Sequence, residues 1–351
     1  MGPARGVGGR LVAAALAVAC GAADRPVERT LPARQGVWIS REELALLPAE
    51  GPAWEALKGA AGERLGPPQL RDKDDRADVL VMARGLVFAR TGEERCRGEV
   101  VAACRAAMGS ERGGDALALG RNLPGYVIAA DLVGLPGGLD AEFRGWLRRM
   151  LVEEHDGRSL RSTHEERPNN WGTHAGASRA VIARYLGDEE ELARVARVFK
   201  GWLGDRGAYA GFRFREPWWQ HDASAPVGVN PKGARRNGHS IDGVLPDDQR
   251  RAGPFAWPPP KENYVYEALQ GALVQAVVLH RAGYDVWEWG DRALLRAFRW
   301  LSEEAAFPAE GDDTWQPHVV NRFYGTRLPA PLPSRPGKNV GFTDWTLGRA
   351  R

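Results

Sequence analysis

The chain has 351 residues, with 48 Lys and Arg against 45 Asp and Glu and a formal net charge of +3. With 43% hydrophobic and 26% charged residues, disordered, collagen-like and multi-span membrane classes are excluded, and the length suffices for one large core. Three cysteines exclude a disulfide-dense scaffold, and so small a positive balance argues against nucleic acid as a partner.

The first element is a targeting signal over residues 1–23. Arg5 and Arg10 give a positive start, Leu11 to Ala19 an apolar core, and Cys20-Gly-Ala-Ala23 small residues for cleavage. The run is too short to span a bilayer, so no integral membrane span is expected. Leu16-Ala-Val-Ala-Cys20 also resembles a bacterial lipobox, an alternative that would place a lipid anchor on Cys20. A periplasmic or secreted location follows. Residues 24–36 read as a polar linker, and residues 37–351 as a single domain, expected to be monomeric. Cys96 and Cys104 stand eight apart in a helical pattern, too far to bridge there, and neither has metal-ligand spacing.

Ser40-Arg-Glu-Glu43 is a capping box that opens a helix. Helical periodicity then recurs over Asp78–Ala89, Glu99–Met108, Arg121–Val133, Ala141–Val152, Trp171–Leu186, Glu190–Leu203, Tyr266–Ala282 and Asp291–Glu304. Gly187 is a natural stop after Leu186. Strand signals are scarce and no fixed-period repeat exists, so the expected class is all-α, an array of helical hairpins. Residues 213–263 break the rhythm with a loop-rich, aromatic stretch, and so does the tail from Trp315 to Trp345. Ordered long loops are usually functional, and the aromatic content argues against disorder.

Three polar constellations carry chemistry. Arg167-Pro-Asn-Asn-Trp-Gly-Thr-His174 opens a helix in which Asn169 or Asn170 is a candidate cap, and Asn170 and His174 share a face. An amide and an imidazole side by side can hold a carboxylate and take a proton; the plainer alternative is a cap and a core histidine. Asn237-Gly-His-Ser-Ile-Asp-Gly-Val-Leu-Pro246 places His239 in a loop and is followed by Arg250 and Arg251. The Arg250 guanidinium fork suits a carboxylate, against the alternative of a solvated Arg pair. Asn263-Tyr-Val-Tyr-Glu267 offers the hydroxyl of Tyr264 or Tyr266 at a helix start, or an aromatic anchor.

These stretches together resemble polysaccharide lyases of the alginate lyase type. Arg121-Asn-Leu-Pro-Gly-Tyr-Val-Ile-Ala-Ala-Asp131 is similar to that family's early helix. Asn169-Asn-Trp-Gly-Thr-His174 is similar to its Asn-Asn-His helix opening, and Ile241-Asp-Gly-Val-Leu-Pro246 with a following Arg and Tyr264 is similar to its Asp-Gly-x-Leu-Pro…Arg…Tyr segment. Trp171 stands where the family has His, so the imidazole falls to His174 or His239. The Arg-to-Tyr spacing is lengthened by residues 252–263, leaving Tyr264 or Tyr266 as the acid, with the following Ala268-Leu269 favouring Tyr264.

The resemblance implies an incomplete (α/α) toroid that cleaves a 1,4-linked uronic acid polymer, alginate or a glucuronan, by β-elimination. No metal or organic cofactor is needed. Asn170 and Arg250 would neutralise the uronate carboxylate, His174 or His239 would take the C5 proton, and Tyr264 would protonate the leaving O4, or act as base itself where the proton lies on its side. Asn169, Trp171, Arg213, Arg215, Trp218, Trp219, Arg235, Arg236 and Tyr266 are the expected substrate-binding residues, Trp and Tyr as flat faces and Arg as partners for further carboxylates along the acidic polysaccharide. Two other classes remain open from sequence: a non-catalytic acidic-polysaccharide binder or export protein, and an inverting glycoside hydrolase using Asp242, Glu165 and Glu166.

Overall fold

The structure, a computed structural model, describes residues 1–2 and 27–348; the export-signal and Cys20 readings lie outside the described residues apart from Met1 and Gly2. In chain order the helices are α1 (Arg41–Ala45), α2 (Pro52–Gly62), α3 (Ala77–Thr91), α4 (Glu94–Ala107), α5 (Ala116–Val133), α6 (Gly137–Val152), α7 (Leu160–Glu166), α8 (Asn170–Leu186), α9 (Glu189–Trp202), α10 (Pro246–Gln249), α11 (Tyr264–Arg281), α12 (Trp289–Arg299), α13 (Gln316–Tyr324) and α14 (Thr343–Thr346). A two-residue hairpin, β1 (Arg235–Arg236) with β2 (His239–Ser240), is the only sheet among the described residues.

Composition sorts the helices into two rings. α5, α8 and α11 are rich in Ala, Gly, Leu and Val on all sides, and nearly every residue in them is buried. α3 packs on α5, α5 on α8 and α8 on α11, which makes these four the inner wall. α4, α6 and α9 carry one apolar stripe each and cover the wall from outside. Arg121 of α5 and His174 of α8 both meet Glu267 of α11, each within the first two turns of its helix, so these helices present their N-terminal ends together, and α3 runs alongside α5 with Asp78 by Gly125 and Gly85 by Ala129. This is an incomplete (α/α) toroid, the architecture expected from sequence.

Close approach between inner helices depends on glycine. A Cβ on Gly271 of α11 would lie 2.4 Å from the Thr173 carbonyl carbon of α8, and one on Gly120 of α5 would lie 2.8 Å from the Ala175 amide nitrogen. The fit also explains a proline inside a helix. Pro124 in α5 cannot donate to the carbonyl one turn back, at Gly120. That carbonyl instead accepts from Ser178 Oγ at 2.9 Å and from Asn339 Nδ2 at 2.9 Å.

The tail differs from the sequence expectation. Trp315–Trp345 contains α13, entered through Pro317, and the short α14. Trp345 then returns to the N-terminal elements, with its ring 5.1 Å from that of Trp54 and its Nε1 donating to the Pro48 carbonyl at 2.8 Å. One apolar core therefore runs from Val37 to Trp345. Cys96 and Cys104 are both buried and unpaired. Among the described residues no helix is long and apolar enough to cross a membrane.

Candidate active site

The N-terminal end of α8 is capped from a distance. Asn169 is the N-cap residue, yet its side chain bonds no helix amide. The first amide of α8, on Asn170, donates to Asp248 Oδ1 at 3.0 Å. Asp248 is fully buried, and burial followed by the neighbouring charge of Asp247 pushes its pKa well above the usual carboxylate range. The sequence expectation of an Asn cap is thus corrected: the cap comes from α10, 78 residues on. Freed from that duty, both polar atoms of the buried Asn170 amide and Oδ1 of Asn169 have no partner.

The Pro246–Gln249 turn carries two arginines with different fates. Arg250 bonds Asp247 Oδ1 at 3.0 Å and Glu216 Oε2 at 3.0 Å, and its side chain is 11% exposed. Arg251 is exposed and has no carboxylate partner among the described residues. Its guanidinium sits 3.6 Å from the ring centroid of Tyr264, close enough for a cation–π contact. Tyr264 is the first residue of α11 and remains 42% exposed, with its hydroxyl bonded to no described group. Tyr266 is buried, donates its hydroxyl to the Phe307 carbonyl at 2.7 Å, and has its pKa raised by burial. Of the two tyrosines, only Tyr264 presents a free phenol, and Tyr266 has no face open to a sugar.

The two candidate histidines also part. His174 is 0% exposed; Nδ1 pairs with Asn339 Oδ1 at 2.8 Å and Nε2 with Glu267 Oε2 at 3.3 Å. Glu267 in turn accepts from Arg121 at 2.5 Å. This chain ties α5, α8, α11 and the tail together. Burial lowers the His174 pKa, while the hydrogen bond with His174 and the charge of Arg121 outweigh burial at Glu267 and hold its carboxyl at about 2. His239, in contrast, is half-buried and stacks on Trp257, centroids 4.4 Å apart, with both ring nitrogens free of described partners. Trp257 lies in the chain between Arg251 and Tyr264, so the stack ties the β2 hairpin to the segment that carries both.

Beside this cluster lies a half-enclosed cavity of about 220 Å³, lined by Arg158, Arg167, Asn169, Arg213, Phe214 and Arg215 with Glu166, Pro168 and Asp247. Three expected binding residues, Asn169, Arg213 and Arg215, therefore converge. Trp171 is half-buried, with the guanidinium of Arg167, a lining residue, 5.3 Å over its ring. Arg235 and Arg236 are elsewhere engaged. Arg235 donates to the Gly238 carbonyl, and Arg236 to the carbonyls of Pro217 and Gln220, so both brace loops. Trp219 is a correction: it is 0% exposed, donates to the Gly253 carbonyl at 3.1 Å and packs on Phe255 and Trp300, leaving no face for a sugar. Trp218 is half-buried against the same core.

The carboxylates considered for hydrolysis are all paired. Asp242 binds Arg296 at 2.5 Å, Glu166 binds Arg158 and Arg213, and Glu165 binds Arg179 and Arg194, which with their hydrogen bonds hold it at about 2 against the opposing effect of burial. Glu165, held low, is the opposite of the raised-pKa acid that an inverting hydrolase needs, and the other two are committed to arginine. Among the described residues no three His, Cys, Asp or Glu side chains converge as a metal site. Sequence reasoning missed Arg251, Asp248, Arg158 and Arg167. The Arg250-Arg251 pair was visible, but only the fold separates its members.

Residues 105–216 match the family model described as alginate lyase. Among solved structures, an alginate lyase from Bacteroides ovatus is similar with a TM-score of 0.54 at 11% identity, covering 84% of this chain and 93% of that one. Alginate lyase A1-III from Sphingomonas species A1 is similar with a TM-score of 0.52 at 13% identity, covering 92% of this chain and 86% of that one. At these identities the structural likeness is one of fold. No curated protein matches the sequence.

Proposed function

We propose, on the premise that this chain is an alginate lyase-like polysaccharide lyase, that it cleaves a 1,4-linked uronic acid polymer, alginate or a glucuronan, by β-elimination at the cluster around Tyr264. The observation that carries this reading is the contact between Arg251 and Tyr264, an exposed cation on an exposed phenol.

The reaction removes a proton from C5, forms a C4–C5 double bond and expels O4. The C5 proton is weakly acidic because the adjacent carboxylate must take up the charge as the carbanion develops. A positive, hydrogen-bonding environment at that carboxylate lowers the barrier. Arg251 is the cation free to provide it, since Arg250 is already held by two carboxylates. The unpartnered amide nitrogen of Asn170 supplies a donor to the same group after a small opening of its buried side chain. His239 is the base with a free ring nitrogen, and Tyr264 gives its proton to O4. Where the C5 proton and O4 lie on one face, Tyr264 serves both steps in turn. His174 acts at one remove, holding the ends of the inner helices in register through Asn339 and Glu267.

The signal-like residues 1–23 support export, with the enzyme meeting its polymer in the periplasm or outside the cell. The test is incubation of the protein with alginate, polyglucuronate and hyaluronan. Growth of ultraviolet absorbance from the unsaturated product supports elimination; new reducing ends without absorbance would mean hydrolysis and overturn it.

A further inference from the structure

Arginine outnumbers its counter-ions in the cavity beside α8. Four guanidinium-bearing residues line it, Arg158, Arg167, Arg213 and Arg215, against two carboxylates, Glu166 and Asp247. Glu166 is shared by Arg158 at 3.2 Å and Arg213 at 3.1 Å. Asp247 is taken by Arg250 and by the backbone amide of Arg215 at 3.3 Å. The guanidiniums of Arg167 and Arg215 are left with no carboxylate among the described residues. Burial, then the like charges of Arg158 and Arg215, pull the Arg167 pKa below its ordinary value, a sign of uncompensated positive charge.

A second observation points into the same space. Asn169 lines the cavity, is 4% exposed, and has its Oδ1 without a partner. A buried amide oxygen normally finds a donor, so an orphaned one in the lining of a cationic cavity marks a place for a ligand that donates to it while accepting from the arginines. A uronate residue does both, through its carboxylate and its hydroxyls. The half-buried ring of Phe214 in the lining adds flat surface for a pyranose.

We propose that this cavity is a subsite for the carboxylate of a second uronate, bound by Arg167 and Arg215 while the scissile residue sits at Arg251 and Tyr264. This rests on the lyase reading above. The two places are electrically linked, because Arg167 also feels the charge of Arg251, and Asp247 of the cavity wall is the neighbour of the Asp248 cap. The polymer is then held at two carboxylates, so the enzyme prefers chains in which successive residues are acidic over chains in which uronate alternates with a neutral sugar.

Arg215→Ala is the cleanest probe, since the Arg215 side chain pairs with no described group and its loss leaves no acid unpaired. Arg167→Lys is the second, keeping charge while removing the fork. Polyglucuronate and alginate are the probes, read by elimination kinetics and by calorimetric binding. Arg215→Ala is expected to raise KM on a polyuronate about tenfold, with a smaller change in kcat, and Arg167→Lys to act in the same direction. On hyaluronan, where uronate alternates with a neutral sugar, the same variant is expected to change KM little. If Arg215→Ala and Arg167→Lys both bind and cleave polyuronate like the parent, the subsite is wrong even though the lyase reading stands. If no polymer is cleaved but polyuronate binds and Arg215→Ala weakens that binding tenfold, the subsite stands and the lyase reading falls. If only a sulfated uronan responds to the substitution, the ligand is a sulfate ester and the carboxylate assignment is overturned.

Discussion

The guanidinium of Arg251 lies 3.6 Å from the centre of the Tyr264 ring, while the adjacent Arg250 is held between Asp247 and Glu216. Two neighbours in sequence therefore do different work. Arg251→Ala is expected to lower kcat about 100-fold with little change in unfolding midpoint, as expected for a lost charge-stabilising donor. Arg250→Ala leaves the buried Asp247 without its cation and is expected to cost roughly 1.5–3 kcal/mol of stability. Steady-state kinetics and urea unfolding on the two variants separate the roles.

The histidines divide in the same way. His239→Ala is expected to lower kcat by about 10²–10⁴-fold, the range for a lost general base, with the fold intact. His174→Ala strips partners from Asn339 and Glu267 and is expected to appear as lost stability. Equal catalytic loss from both, with equal stability, would contradict the division.

Burial lowers the pKa of both His174 and His164. Their unfolded forms take a proton near the ordinary value of about 6.5, while the folded forms resist it. Stability is therefore full above that value and falls as pH drops below it. Glu267, held at about 2 when folded, adds a second loss below the ordinary carboxylate value of 4.5. Replacing His164 and His174 by Gln together is expected to flatten the stability profile between about pH 6.5 and 5, measured by urea unfolding across pH.

Asp313 carries the opposite sign. Burial and the charge of Asp312 raise its pKa to about 7, although Gln270 and Gln316 both donate to its Oδ1. A raised carboxyl keeps its proton in the folded state while the unfolded state has lost it, so stability declines as pH rises from about 4 to 7. Asp313→Asn keeps the accepting oxygen and is expected to raise Tm at pH 8 and to leave it nearly unchanged at pH 4. A fall at pH 8 would contradict the assignment.

The remote cap gives a further test. Asp248→Ala removes the acceptor for the Asn170 amide and is expected to cost about 1 kcal/mol or more, whereas Asp248→Asn retains an oxygen there and restores most of it. Because α8 carries Asn169 and Asn170, the alanine variant is also expected to lose activity beyond its loss of stability.

The inner-wall helices were legible because period and composition act locally: α8 ends at Gly187 in a left-handed turn, as its sequence demands. The tail was not legible, because α13 and α14 are stabilised by contacts such as Trp345 on Trp54, nearly 300 residues apart in the chain. At the site, Tyr264 and the Asn169-Asn170 opening could be found from motif and spacing. The choice between Arg250 and Arg251 could not, because it depends on where Glu216 and Tyr264 fall in space. Asn339 left no local signal at all; its role follows from the carbonyl that Pro124 frees in another helix.

The most direct measurement is the ultraviolet absorbance of unsaturated product released from a polyuronate by the parent protein and by Tyr264→Phe, with polymer binding followed alongside. Steady absorbance growth is expected for the parent, and for the variant unaltered binding with at least about a 100-fold lower rate. Full elimination by Tyr264→Phe would contradict the assignment of Tyr264 as the acid.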